Sequence, residues 1–207
     1  MSTMKSLSMA ITGAAFLALG AGGAAQAVVI DFETLPPDFA IVDNQFLGLG
    51  VDFNGLASTL TLGSSLNPDF PPFSGDTVIF DDPSLSSGIL RMDSVGSLWS
   101  MVGGYVTGNR NVTLTAFASD NSILGTSSTG GPNFVGAGTG LLPNIFLSVT
   151  AANIAYVTFQ DQGNTYTIDD FTFTPISVPE PTSLLGVLVF GTFGASSLLK
   201  RKLEQKA

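Results

Sequence analysis

The sequence predicts an all-β fold, an antiparallel sandwich or jelly roll, and three observations carry that prediction. Between Val28 and about Ile176 the composition is that of a β protein. Gly, Ser, Thr, Asn, Val and Phe are plentiful there, while Glu, Lys and Arg are nearly absent. No window holds a sustained 3.6-residue apolar period, which speaks against helices. Short alternating or continuous apolar runs recur instead, each bounded by Gly, Pro, Asn or Asp.

Along the chain, strands are expected at Val28–Glu33, Val51–Phe53, Leu60–Leu62, Thr77–Phe80, Gly88–Met92, Leu98–Val106, Val112–Ala118, Ile145–Val149, Ile154–Gln160 and Tyr166–Thr174. Alternation is nearly clean in Val112–Ala118 and in Thr165–Thr174, as a strand with one buried face requires. Turn signals stand at Gly108–Asn111, Ser119–Ser122 and Asp161–Asn164. The last separates two strong strands and predicts a hairpin. The Gly/Ser/Pro-rich stretches 54–72 and 126–140 predict long surface loops, the usual carriers of binding sites. No internal repeat is visible. Ten short strands in about 150 residues suit one two-sheet domain, large enough to bury roughly 68–70% of its unfolded surface.

Both ends read differently from this middle. Lys5 precedes an uncharged apolar stretch from Leu7 to about Ala21, followed by Ala25-Gln26-Ala27. That is the order of a signal peptide: a basic start, an apolar helix, and an A-x-A cleavage site at Ala25 and Ala27. At the other end Pro179-Glu180-Pro181 leads into Ser183–Leu199, seventeen residues without charge, and then Lys200-Arg201-Lys202. Seventeen helical residues span about 25 Å, the lower limit for crossing a bilayer. The basic cluster is expected to stay cytoplasmic, leaving the domain outside. The expected organisation is a signal helix (1–27), a β-sandwich domain (28–177) and a transmembrane sorting segment (178–207).

Charge narrows the partners. Only Arg91 and Arg110 are basic between Val28 and Pro181, against fifteen acids, a balance of −13. Such a surface repels phosphate backbones, so nucleic acid is excluded as a partner. The chain has no Cys and no His. It therefore lacks the thiol or imidazole needed for Cys or His nucleophiles, a His general base, or His/Cys zinc and copper sites. No Lys lies in the domain, so a Ser–Lys dyad is excluded with the Ser–His–Asp triad.

The tail, Pro179-Glu180-Pro181 followed by the apolar segment and Lys200-Arg201-Lys202, resembles the PEP-CTERM sorting signal of Gram-negative bacteria and cyanobacteria. The resemblance covers about 30 residues and concerns address rather than activity. It implies processing by an exosortase, a membrane-embedded transpeptidase-like enzyme, and a place in the cell envelope or extracellular polysaccharide matrix.

A second resemblance covers most of the domain. Val29-Ile30-Asp31-Phe32-Glu33 at its start and Tyr166-Thr167-Ile168-Asp169-Asp170-Phe171 at its end resemble secreted bacterial β-sandwiches related to lectin-like and carbohydrate-binding modules. In that layout the first and last strands are neighbours, and their carboxylates can share a calcium ion. The implied ligands are Glu33 with Asp169 or Asp170, and Asp31 next, with Asp81-Asp82 a further acidic pair. Trp99 lies in a mostly apolar run and is expected in the core. Trp99, Tyr105, Tyr156 and Tyr166 have ring faces that suit the apolar faces of sugars, but a core or half-buried place is the commoner fate of such residues in a sandwich.

The sequence therefore predicts an exported, non-catalytic surface or matrix protein that binds polysaccharide. No catalytic residue is assigned. Two other classes stay open: a small glycan-active hydrolase using a carboxylate pair, and a membrane-tethered structural domain without a small ligand.

Overall fold

The computed structural model describes residues 25–85, 88–163 and 165–176. Twelve strands are formed: β1 (Val28–Ile30), β2 (Ile41–Val42), β3 (Val51–Asp52), β4 (Ala57–Thr61), β5 (Thr77–Asp81), β6 (Ile89–Ser94), β7 (Trp99–Gly108), β8 (Thr113–Phe117), β9 (Ile123–Ser128), β10 (Ile145–Ile154), β11 (Tyr156–Gln160) and β12 (Tyr166–Pro175). The expected signal and transmembrane helices, and the sorting residues Pro179–Pro181 and Lys200–Lys202, lie outside the described residues. Among the described residues no helix is long and apolar enough to cross a membrane.

The strands pair antiparallel throughout. A seven-stranded sheet runs β10-β7-β12-β5-β4-β2, with β1 also on β12, and a five-stranded sheet runs β3-β6-β11-β8-β9. All belong to one compact unit, Ala24–Val178. The inner faces supply one core. Ile79, Val102, Val106, Leu147, Ile168, Phe171 and Phe173 come from the larger sheet; Val51, Leu90, Met92, Leu114, Ala116, Val157 and Phe159 come from the smaller. Phe171 is the hub. Its ring meets Phe53 at 5.6 Å, Trp99 at 6.0 Å and Phe159 at 6.5 Å, in the edge-on geometry aromatic quadrupoles favour. Each such fully buried ring stabilises by about 1.5–3 kcal/mol relative to leaving it in water.

Tyr166 fastens the sheets to each other. Its buried hydroxyl donates to the Phe159 carbonyl at 2.8 Å and accepts the Leu90 N–H at 3.3 Å. Burial holds that phenol well above its ordinary pKa.

As the layout of the first and last strands implies, β1 lies on β12, with Val28 opposite Phe173 and Ile30 opposite Phe171. Three readings are corrected. Asp161–Asn164 is no hairpin: β11 belongs to the five-stranded sheet and β12 to the seven-stranded one, so this turn is a corner between layers. Asp161 builds the corner by accepting the N–H groups of Gly163 (2.8 Å) and Thr165 (3.2 Å). The stretch 54–72 contains β4 rather than loop alone, and β9 was unforeseen because none of its residues is buried and they show no apolar alternation.

Candidate functional site

β12 carries two partners on one edge. Thr167 and Ile168 pair with β5, whereas Phe171–Phe173 pair with β1, and the register to β7 shifts between Asp169 and Thr172. Asp169 and Asp170 occupy that break, and Asp170 takes φ 44°, a left-handed conformation that a short polar side chain tolerates better than most. The sequence does carry the signal: apolar residues stand at even positions up to Ile168 and at odd positions from Phe171, a change of parity that an inserted residue requires.

The break receives a strap from the β4–β5 connection. Asp169 Oδ2 accepts the N–H groups of Phe73 (2.7 Å) and Ser74 (2.9 Å), and its Oδ1 accepts that of Asp170 (2.7 Å). The Ser74 hydroxyl donates to Asp170 Oδ1 at 2.7 Å. From the other side Glu33 Oε1 accepts the N–H groups of Asp76 (3.0 Å) and Thr77 (2.8 Å). Gly75 has φ +52°, and a Cβ there would stand 2.3 Å from Glu33 Cδ, so a larger residue would be strained in its backbone and would push the hydrogen-bonded Glu33 carboxylate aside. The Phe73 ring then lies flat on Tyr105, covering it.

Three of the four acids expected to share calcium thus do converge, on one strap. Asp31 instead accepts the N–H of Glu33 at 3.2 Å, within its own turn. The arrangement does not fit the ion as it stands. Calcium needs six to eight oxygen ligands, while both Asp169 oxygens and one Glu33 oxygen accept N–H groups and Asp170 Oδ1 accepts the Ser74 hydroxyl. Among the described residues no three acidic side chains gather to hold a metal.

Asp169 is 1% exposed, and its pKa is raised to about 6. Burial is the main cause, and the Asp170 charge adds to it, against the N–H donors that favour the anion. A raised carboxyl is what a glycosidase acid requires. Here it is buried beneath the strap with both oxygens occupied. The acid pair Asp81-Asp82 is likewise structural in part: Asp81 is buried, and Asp82 accepts from Ser58 and Ser84.

The outer face of the five-stranded sheet is open. Three cross-strand rows stand on it: Asp93–Tyr156–Phe117, Arg91–Thr158–Thr115 and Ile89–Gln160–Thr113. Tyr156 is stacked on Phe117 at 4.6 Å, and the Arg91 guanidinium covers its other face at 3.8 Å. Arg91 pairs with Asp93 at 2.6 Å, Asn54 donates to Asp93 at 2.6 Å, and the Tyr156 hydroxyl donates to Asn121 at 2.9 Å. Leu56, Ser84, Leu85 and Ile89 wall these groups into a cleft of about 620 Å³ with Arg91, Phe117, Tyr156 and Thr158.

Of the other aromatics singled out from the sequence, Trp99 and Tyr166 are core, at 0% and 2% exposure. The sequence missed Arg91, Phe117 and Thr158 as partners of Tyr156, since only the pairing of β6, β8 and β11 brings them together.

No family model matches this chain, and no curated protein does. Solved structures give partial likenesses. A DUF4465 family protein from Bacteroides caccae has TM-score 0.44 at 12% identity, covering 74% of this chain and 94% of that one. TmCBM61, solved with β-1,4-galactotriose, has TM-score 0.35 at 11% identity, covering 61% and 87%. CsCBM6-3 from Clostridium stercorarium, solved with cellobiose, has TM-score 0.33 at 18% identity, covering 57% and 94%. At these scores and identities they carry no functional weight, and the site must be judged on its own chemistry.

Proposed function

We propose that this chain is an exported, non-catalytic cell-envelope or matrix protein that binds polysaccharide on the outer face of its five-stranded sheet. The cleft around Tyr156 carries the proposal. Its volume lies in the range of small-ligand sites. Its lining mixes the apolar Leu56, Leu85 and Ile89 and an aromatic pair with the Arg91 guanidinium and the hydroxyls of Ser84 and Thr158. Sugars need that mixture: apolar ring faces meet carbon, and hydroxyls meet polar groups placed beside it. Both faces of Tyr156 are already covered, so the free side of the Phe117 ring and the edge of the pair make the sugar contact.

Export and sorting rest on the sequence. Cleavage after Ala27, recognition of Pro179-Glu180-Pro181 by an exosortase-type enzyme, and a helix initially in the inner membrane before Lys200-Arg201-Lys202 together place the domain outside the cell. Intact mass from native cells tests this. A chain starting at Val28 and ending near Pro179–Pro181 supports sorting, whereas a membrane-bound chain reaching Ala207 means a simple anchor.

Binding is tested by electrophoresis of the full chain through gels containing neutral polysaccharides. The wild type is expected to be retarded by at least one polymer, and Phe117→Ala to weaken that retardation about tenfold while keeping the fold. Retardation by none leaves a tethered structural domain. Cleavage of a polymer, abolished by Asp169→Asn, would instead make the chain a hydrolase.

A further inference from the structure

At the other end of the same face lies a second, more polar cleft. It measures about 450 Å³ and is lined by Arg110, Asn111, Thr113, Gln160, Asp161 and Gln162. It continues the first. Gln160 and Thr113 form one row with Ile89, and Ile89 lines the Tyr156 cleft. Four residues of β11 separate Tyr156 from Gln160, roughly 13 Å at strand rise. Both cations of the acidic domain therefore stand along one groove.

They differ in state. Arg91 is neutralised by Asp93. Arg110 makes no hydrogen bond and no ion pair among the described residues. Its side chain lies close over Gly163: a Cβ there would stand 3.0 Å from Arg110 Nε and 3.3 Å from Cζ, so the guanidinium passes against bare backbone at the β11–β12 corner. Asp161 at the back of the cleft is 5% exposed and occupied by Gly163 and by the N–H and hydroxyl of Thr165.

We propose that the Arg110 cleft is a subsite for the carboxylate of a uronic-acid sugar within the glycan bound at the Tyr156 cleft, a proposal that rests on the polysaccharide-binding reading. The guanidinium fork fits a planar carboxylate with two parallel hydrogen bonds. The amides of Gln160 and Gln162 supply donors and acceptors for ring hydroxyls around it, while the Asn111 amide oxygen already accepts from Gly130 and Thr129 and leaves its NH2 to donate. The domain's charge selects the kind of glycan. A polyanion would meet the field of the acids along its whole length. An isolated carboxylate meets Arg110 at contact distance; Asp161 in the same cleft spends its oxygens on Gly163 and Thr165, and a Debye length of about 8 Å at physiological salt screens the remoter acids. The ligand is a mostly neutral glycan carrying occasional uronic acids.

The test is an NMR titration of the full chain with sodium D-glucuronate, D-glucose and sodium acetate, reading the Arg110 Nε–H signal and the side-chain amides of Gln160 and Gln162. Glucuronate is expected to half-saturate at a concentration about tenfold below both controls. Arg110→Lys keeps the charge and loses the fork, so its Gln160 and Gln162 signals should show no such preference. Equal response to acetate means an adventitious ion only and overturns the subsite. Equal response to glucose, or a preference that survives in Arg110→Lys, also overturns it. The two proposals fail separately: a chain retarded by neutral polysaccharide without glucuronate preference loses the subsite alone. A selective glucuronate response without retardation by any polymer keeps the subsite and removes the polymer.

Discussion

The two outer faces of this sandwich use polar side chains for opposite ends. On the seven-stranded sheet the carboxylates of Glu33 and Asp169 are turned onto a strap, where they accept four N–H groups of Phe73, Ser74, Asp76 and Thr77. On the five-stranded sheet Thr158, Gln160 and Arg110 make no side-chain bond among the described residues and line open clefts. A polar group already satisfied inside the fold has little left to offer a ligand, while an unsatisfied one beside a cleft does. The folding of the strap has already claimed the N–H-bonded oxygens of Glu33 and Asp169.

The largest test of this contrast is pH. With a folded-state pKa of about 6 against an ordinary 3.8, Asp169 keeps a proton that the unfolded chain releases between those values. Stability from this group is therefore present near pH 4, falls as pH rises toward 6, and has dropped by about 3 kcal/mol at neutrality. Asp38, Asp82 and Asp120 are shifted the other way, chiefly by serine hydrogen bonds that outweigh the burial of Asp82, so they lose stability only below the ordinary carboxylate range. Urea denaturation should show a maximum near pH 4–5, and Asp169→Asn should flatten the slope between pH 4 and 6. Equal midpoints at pH 4.5 and 7 in the wild type would remove the buried-anion account of the strap.

A matched pair of glycines sharpens the comparison. Gly75→Ala forces a Cβ into Glu33 at a left-handed backbone position and should cost about 1–2 kcal/mol. Gly163→Ala meets only the movable Arg110 side chain, so its stability should change by less than about 0.5 kcal/mol, while the glucuronate preference disappears. If both substitutions cost alike, the distinction between a built face and an open one is wrong.

The smallest expected effect concerns calcium. Since the strap acids accept N–H groups and do not gather as ligands, adding calcium or a chelator should leave the melting temperature unchanged within about one degree. A rise of several degrees with calcium would show that the strap carboxylates reorganise around the ion.

Most strands were legible because a half-buried strand must alternate, as β8 does throughout and β12 does from Phe171 on. Sheet membership was less so. Asp161–Asn164 has the composition of a hairpin turn, and only the burial of both flanking strands in different layers makes it a corner. β9 escaped because an edge strand with Ile123, Thr126 and Ser128 in solvent needs no apolar pattern. The candidate site was the least legible part. Arg91 and Tyr156 are 65 positions apart and meet through the pairing of β6 with β11, while Arg110 and Gly163, 53 apart, meet where the β7–β8 and β11–β12 connections come together. One local clue was present in the parity change across Asp169-Asp170, which marks the break that receives the strap.

The position of β12 bears on how this domain would carry load. Val28 stands opposite Phe173, so the chain enters and leaves the domain at the same pole. A pull on the chain beyond Ile176, directed along β12, would be resisted at once by the ladders to β7, β5 and β1. Those hydrogen bonds would be sheared together, whereas a pull across the strand would open them one after another. If the domain binds polymer on one sheet and is tethered through the other, as proposed, that would be the geometry of a mechanical coupling, and its lifetime under force would be set by the rate of unfolding rather than by equilibrium stability.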